Sequence, residues 1–182
     1  MSQKDYKTQI IQYLLKKECH IRGLAKELGT NQTTVARKIN ELYKENAVDY
    51  RQEGKNKVFF LKKTIEAKQY AYIAEMRKLI GAVKRYPRLR TITEEIRKNK
   101  SIRLALIFGS YAKSAAGTES DIDIYIETKS RKVKDEVSKI DSKLSIKIGS
   151  YDRQSPLIRE IEKNHIIIKG VEEFYEKSQL FE

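Results

Sequence analysis

The stretch "FGSYAKSAAGTESDIDIYI", residues 108–126, sets two aspartates, Asp121 and Asp123, one residue apart in a run of isoleucines. The alternation predicts a β-strand, in which residues two apart share a face. Ile122 and Ile124 then enter a core while both carboxylates point the other way. Two adjacent carboxylates repel, so holding both ionised calls for a cation between them, and an oxygen-only donor set favours Mg²⁺. Mg²⁺ usually completes its shell with water and substrate phosphates. Gly109-Ser110, after the apolar run "SIRLALIF", offers those phosphates a place. Backbone N–H groups at a strand-to-helix turn take anions, glycine admits a phosphate closely, and Ser110 adds a hydroxyl donor. Two solvent-facing aspartates on an edge strand would explain neither the turn nor the spacing.

Outward from this stretch the chain is unevenly charged. It has 182 residues and a formal net charge of +13. Residues 1–62 hold 13 Lys and Arg against 7 Asp and Glu, residues 63–100 hold 11 against 4, and residues 101–182 hold 14 of each. A basic half beside a neutral half points to a polyanionic partner on one side only, or to a lysine-rich solubilising surface. The single cysteine, Cys19, excludes an internal disulfide and fits a reducing compartment. No apolar run is long enough for a transmembrane helix, and "MSQKDYKTQI" lacks the apolar core of a signal peptide, so a soluble, cytoplasmic protein is expected.

At the N-terminus, "DYKTQIIQYLLKK" and "IRGLAKELG" read as two helices, the second stopped at Gly29. "NQTTVARKINELYKEN" reads as a third, capped by Asn31 and burying Val35, Ile39 and Leu42. "AVDYRQEGKNKVFFLKK" then shows two strand-like runs about "EGKN", a hairpin signal. This order, and above all "HIRGLAKELGTNQTTVARKINELYKENAV", resembles the winged helix-turn-helix domains of prokaryotic transcription regulators. The resemblance implies double-stranded DNA as a partner. It puts Gln32, Thr33, Arg37 and Lys38 on the face of the third helix that enters the major groove. The wing would add Arg51, Lys55 and Lys57. Other winged helices mediate protein contacts instead.

Next comes a long helix, "TIEAKQYAYIAEMRKLIGAVKRYPRL", with Ile65, Tyr72, Ile73, Met76, Leu79, Ile80 and Val83 on one side and Pro87 at its end. It is a candidate homodimer helix. "RTITEEIRKNK" reads as a further helix. The remainder alternates strand and helix signals, with strands in "SIRLALIFGS", "DIDIYIE" and "SIKIGSY" and helices in "RKVKDEVSKIDSKL" and "SPLIREIEKN", the last running into the short apolar "HIIIKG". The expected fold class is α+β: residues 1–62 a winged helix-turn-helix, 63–87 a linker or dimer helix, and 88–182 an α/β domain on a small mixed sheet. Cys19-His20 and His165 read as structural residues, and the lysines of residues 129–134 as a solvated face.

"LIFGSYAKSAAGTESDIDIYI" resembles the signature of the nucleotidyltransferase superfamily that includes DNA polymerase β: apolar strand, Gly-Ser, a spacer, then Asp-apolar-Asp. Its length resembles the minimal prokaryotic members. The resemblance implies that Gly109 and Ser110 bind a nucleoside triphosphate. Asp121 and Asp123 would be the catalytic Mg²⁺ ligands, and a nucleotide monophosphate would pass to a hydroxyl as pyrophosphate leaves. A small helical partner protein is a further implication. The family also uses a third carboxylate on a later strand; in "KLSIKIGSY" Ser145 takes its place, with Lys147 on the same face, and Asp141 and Asp152 lie on either side. A serine cannot serve as general base near neutral pH. Two readings follow, a transferase or a DNA-binding regulator whose transferase-like domain senses nucleotide or a partner.

Overall fold

The computed structural model describes residues 5–182. The chain forms two compact units that divide inside one helix, between Arg77 and Lys78, with Phe181 and Glu182 belonging to the first. The segment read as a linker, 63–87, is thus shared between the two units.

The first unit opens with α1 (Tyr6–Leu14), whose N-terminus is capped by Asp5, with Oδ1 accepting from the Thr8 amide at 3.1 Å. Strand β1 (Cys19–His20), α2 (Ile21–Glu27), α3 (Gln32–Lys44), β2 (Val48–Glu53) and β3 (Asn56–Leu61) follow. Helix α2 ends at Gly29, which takes a left-handed φ of +58°. Asn31 Oδ1 accepts from the Thr34 amide at 2.7 Å and starts α3. The apolar spacing then does what periodicity requires. Ile10, Ile11, Leu24, Val35, Ile39 and Leu42 meet in one core with Phe59 of β3. Strand order is β1-β3-β2, all antiparallel. Three helices and a hairpin, closed by a short strand from the α1–α2 connection, make a winged helix-turn-helix. The two-residue β1 is too short to carry a periodic signal, and it gives Cys19 and His20 their structural place.

Helix α4 (Ile65–Arg85) carries Ala67 and Ala74 into the first core and Leu79 and Ala82 into the core of the second unit. Tyr72 and Leu79 are buried, whereas Ile65, Ile73, Met76 and Ile80 stand in solvent. The second unit continues with α5 (Leu89–Lys98), β4 (Ala105–Ile107), α6 (Gly109–Ala112), β5 (Ile122–Glu127), α7 (Arg131–Ser138), β6 (Leu144–Gly149), α8 (Pro156–Lys163), β7 (Ile166–Lys169) and α9 (Val171–Ser178). The sheet runs β6-β5-β4-β7 and is mixed: β5 and β6 are parallel, the other pairs antiparallel. Its first face, with Ile107, Ile122, Ile124, Ile126, Ile146 and Ile168, packs with Ile92 and Ile96 of α5 and Val133 and Val137 of α7. The other face is apolar over much of its length too, because Leu106, Tyr125 and Ile167 are buried. The apolar segment after α8 is an edge strand, β7. Helix α9 follows it through Gly170, at φ +83°, where a Cβ would lie 3.2 Å from the Leu104 α-carbon.

Arg88 pairs with Asp141, which also accepts the Lys143 amide at 2.8 Å. The Lys143 carbonyl in turn accepts from Ile122 N at 2.8 Å, so this ion pair braces the turn that brings β6 alongside β5. The Arg88 guanidinium, with the Lys143 amide, holds the Asp141 carboxyl below the usual carboxylate range. A depressed folded-state pKa gives stability that is present above the unfolded value, about pH 4, and is lost as pH falls through the lower folded value. We expect Asp141→Asn to be less stable than the parent at pH 7 and to approach it near pH 3, measured as urea midpoints.

Candidate functional site

Strand β4 is buried at all three positions and delivers the chain to Phe108 and Gly109. The Phe108 amide donates to the Asp123 carbonyl at 3.0 Å, which ties this turn to β5. Gly109 adopts φ +66°, and a Cβ there would overlap the Asp123 carboxylate, lying 3.3 Å from its Cγ. Glycine is required twice over, by the left-handed backbone and by the closeness of Asp123. Ser110 is half-buried beside it. The spacer closes on itself: Ser120 donates its amide to the Gly117 carbonyl at 3.3 Å and accepts the Gly117 amide on Oγ at 3.0 Å. Asp121 follows, exposed, and Asp123 is half-buried. Strand β5 begins at Ile122, so Asp121 sits one residue ahead of the ladder instead of within it as alternation suggested. Among the described residues neither carboxylate has a hydrogen-bond or ion-pair partner. Asp123 lies against the Gly109 turn and Asp121 is two residues before Asp123 in the chain; two unpaired carboxylates are a donor set that fits Mg²⁺.

The parallel register places Ser145 directly beside Asp123 and Lys147 beside Tyr125. Register partners project to the same face, so Ser145 does occupy the neighbouring place on the Asp123 face. The two nearby acids are committed elsewhere: Asp141 to Arg88, and Asp152 to the Gln154 amide at 2.9 Å. Among the described residues no group of three or more His, Cys, Asp and Glu side chains is placed to hold a metal ion. Tyr125, buried between Asp123 and Glu127 along β5, donates its hydroxyl to the Gly149 carbonyl at 3.1 Å, and burial pushes its phenol pKa up. His165 is structural, with Nδ1 2.8 Å from the Ile161 carbonyl oxygen and its ring against Phe174.

In the first unit, a cleft of about 370 Å³ is lined by Arg22, Gln32, Lys55, Asn56 and Lys57, with His20 and Ile21 at its end. No acidic side chain lines it. It joins the start of α2, the start of α3 and the tip of the wing. Lys57 lies 3.9 Å from the Tyr50 ring centroid, which holds its stem against the hairpin. Thr33 and Arg37, one helical turn apart, are exposed on α3. Lys38 is tied to Glu41 at 2.9 Å, and its ammonium holds that carboxyl below the usual range. Arg51 is set apart from the other six positions: it pairs with Glu18 and Glu53 and lines a different hollow with Tyr13, Lys17 and Cys19. Alternation along β2 explains this, since Arg51 and Glu53 share one face and Tyr50 and Gln52 the other. Arg22 was missed by reading "IRGLAKELG" for its core positions; its signal is a cation at the start of a helix that the fold turns toward the wing.

The family profile described as "Polymerase beta, Nucleotidyltransferase" matches residues 90–174. No curated protein matches the chain. Among solved structures, the adhesin competence repressor from Streptococcus pyogenes is 22% identical, with a TM-score of 0.40, over 48% of this chain and 66% of that one. A homodimeric winged helix-turn-helix DNA-binding domain from Mycobacterium bovis, described as a possible ArsR-family transcriptional regulator, is 19% identical, with a TM-score of 0.35, over 43% of this chain and 69% of that one. The chain therefore spans about two thirds of each of these structures. The profile covers the Gly109 turn, both aspartates and the strand carrying Ser145, so it is residues 90–174 that are similar to the polymerase β nucleotidyltransferases.

Proposed function

We propose that the chain binds double-stranded DNA through its first unit and a Mg²⁺–nucleoside triphosphate through its second. The observation that supports the nucleotide reading is the unpartnered Asp123 carboxylate against the Gly109 turn, with Asp121, also unpartnered, two residues before Asp123. Asp121 and Asp123 would hold the metal, while Gly109 and Ser110 would admit the phosphates. Bound Mg²⁺ would neutralise phosphate charge for transfer of a nucleotide monophosphate to a hydroxyl acceptor. A second reading, nucleotide held without transfer in a DNA-binding regulator, is favoured by Ser145 standing beside Asp123, where a neutral hydroxyl supplies no base. The DNA reading draws on the acid-free cleft of Arg22, Gln32, Lys55 and Lys57. Like charges gathered without a counter-charge favour a polyanion.

The apolar residues on α4 support a homodimer. Ile73, Met76 and Ile80 are 43%, 50% and 47% exposed and fall on one face of the helix. A two-fold pair of such helices would bury them against a second copy, as DNA half-sites commonly require.

Three outcomes follow from these readings. Fluorescence anisotropy on a labelled duplex should show tight, salt-sensitive binding. Arg22→Ala with Lys55→Ala should lower the slope of log affinity against log salt by about two, since each lost phosphate contact removes about one. An intact protein that ignores duplex DNA at low salt removes the DNA reading. In calorimetry, nucleoside triphosphate binding should need Mg²⁺ and vanish in Asp121→Asn with Asp123→Asn; equal affinity with and without metal overturns the site. Light scattering should give twice the 21.3 kDa chain mass, falling to one chain in Met76→Glu.

A further inference from the structure

We propose that the Asp123 face of the sheet takes its nucleoside triphosphate with a single divalent cation, and that Lys147 supplies the second positive charge on the phosphates. This rests on the nucleotide reading above and goes beyond it by assigning the charge balance of the site and a residue that sets it.

The geometry comes from the β5–β6 register. Asp123 is beside Ser145, and Lys147 is two residues further along the same strand and face. Parallel strands lie about 4.8 Å apart and rise about 3.3 Å per residue, so the α-carbons of Asp123 and Lys147 are separated by about 8 Å. A lysine stem spans about 6 Å, enough for the ammonium to reach phosphates held before Ser145 and Asp123. Lys147 is exposed, and among the described residues it has no ion pair or hydrogen bond.

Three other cations of the unit are engaged. Lys113 pairs with Glu160 at 3.0 Å. Lys143 donates to the Thr118 carbonyl at 2.6 Å and pairs with Glu119 at 3.3 Å. Arg88 pairs with Asp141. Lys147, by contrast, lies on the Asp123 face without a counter-charge.

The electrostatics point the same way. Two carboxylates balance one divalent cation. A second divalent cation would need further negative ligands, but Ser145 is neutral and Asp141 and Asp152 are held elsewhere. It would also sit close to the Lys147 ammonium, and like charges in a partly buried site repel strongly. A lysine is a compact, strongly hydrated point charge, suited to phosphate oxygens without asking for carboxylate partners. A site with one fewer carboxylate and one more ammonium therefore holds the same triphosphate with one cation fewer.

The test uses the full chain, Mn²⁺ as the cation, and nucleoside triphosphates bearing an α,β-methylene bridge, which cannot be transferred. Electron paramagnetic resonance of free Mn²⁺ counts the bound cations, and calorimetry gives nucleotide affinity. The expected result is one Mn²⁺ per bound nucleotide. Lys147→Ala should weaken nucleotide binding roughly tenfold, and Lys147→Arg should restore most of it. Two Mn²⁺ per bound nucleotide, or parental affinity in Lys147→Ala, overturns the proposal. Absence of any Mn²⁺-dependent nucleotide binding in the parent chain removes the nucleotide reading itself, an outcome distinct from either of these.

Discussion

The alternation along β5 is the constraint on which the second unit depends. Ile122, Ile124 and Ile126 enter the core packed by α5 and α7, so Asp123 and Tyr125 must face the other way. A one-residue slip of register would drive a carboxylate into that core, at a cost far above what the ladder hydrogen bonds return. The strand is therefore pinned, and everything attached to it is pinned as well. The Phe108 amide reaches the Asp123 carbonyl, Gly109 lies against the Asp123 carboxylate, and β6 aligns with Ser145 beside Asp123. Leu106, Tyr125 and Ile167 bury much of the Asp123 face, so its end, at Asp123 and Ser145, is left to carry chemistry.

The first unit obeys a comparable division. Val35, Ile39 and Leu42 anchor α3 in the core, which leaves Gln32, Thr33 and Arg37 outward. Which cations are available is then decided by local acids. Lys38 and Arg51 are paired to glutamates, whereas Arg22 and Lys55 line a cleft with none.

The parts of the structure legible in the sequence are those with a repeated or chemical signal. The helices of the first unit, the Asn31 cap and the hairpin about Gly54 follow from period and turn chemistry. The Gly109 turn and the aspartates follow from spacing. The two-residue β1 has no period to detect. Strand β7, "IIIK", is an apolar run that a helix segment would also show. Asp121 lies outside the strand because the neighbouring turn at Lys143 supplies only a carbonyl to Ile122, and the pairing starts there. The separation of Arg51 from the other basic residues, and the place of Arg22, depend on tertiary neighbours that sequence spacing does not carry.

The two units share a physical signature that sequence totals conceal. The net charge of +13 suggests one basic protein, yet the candidate sites of the two units differ in sign, cations lining the cleft of the first and two carboxylates beside the turn of the second. Elsewhere on the surface ion pairs are plentiful, as with Lys7–Glu45, Lys98–Glu95 and Lys113–Glu160, and exposed pairs of this kind add little stability. Among the charged groups left without a partner are, in one unit, Arg22 and Lys55 of the acid-free cleft and, in the other, Asp121, Asp123 and Lys147. Carboxylates and an ammonium on one strand pair, not joined to each other, would suit a third party bearing both signs. A metal–phosphate complex meets that description, since its cation faces the aspartates and its oxygens face the lysine.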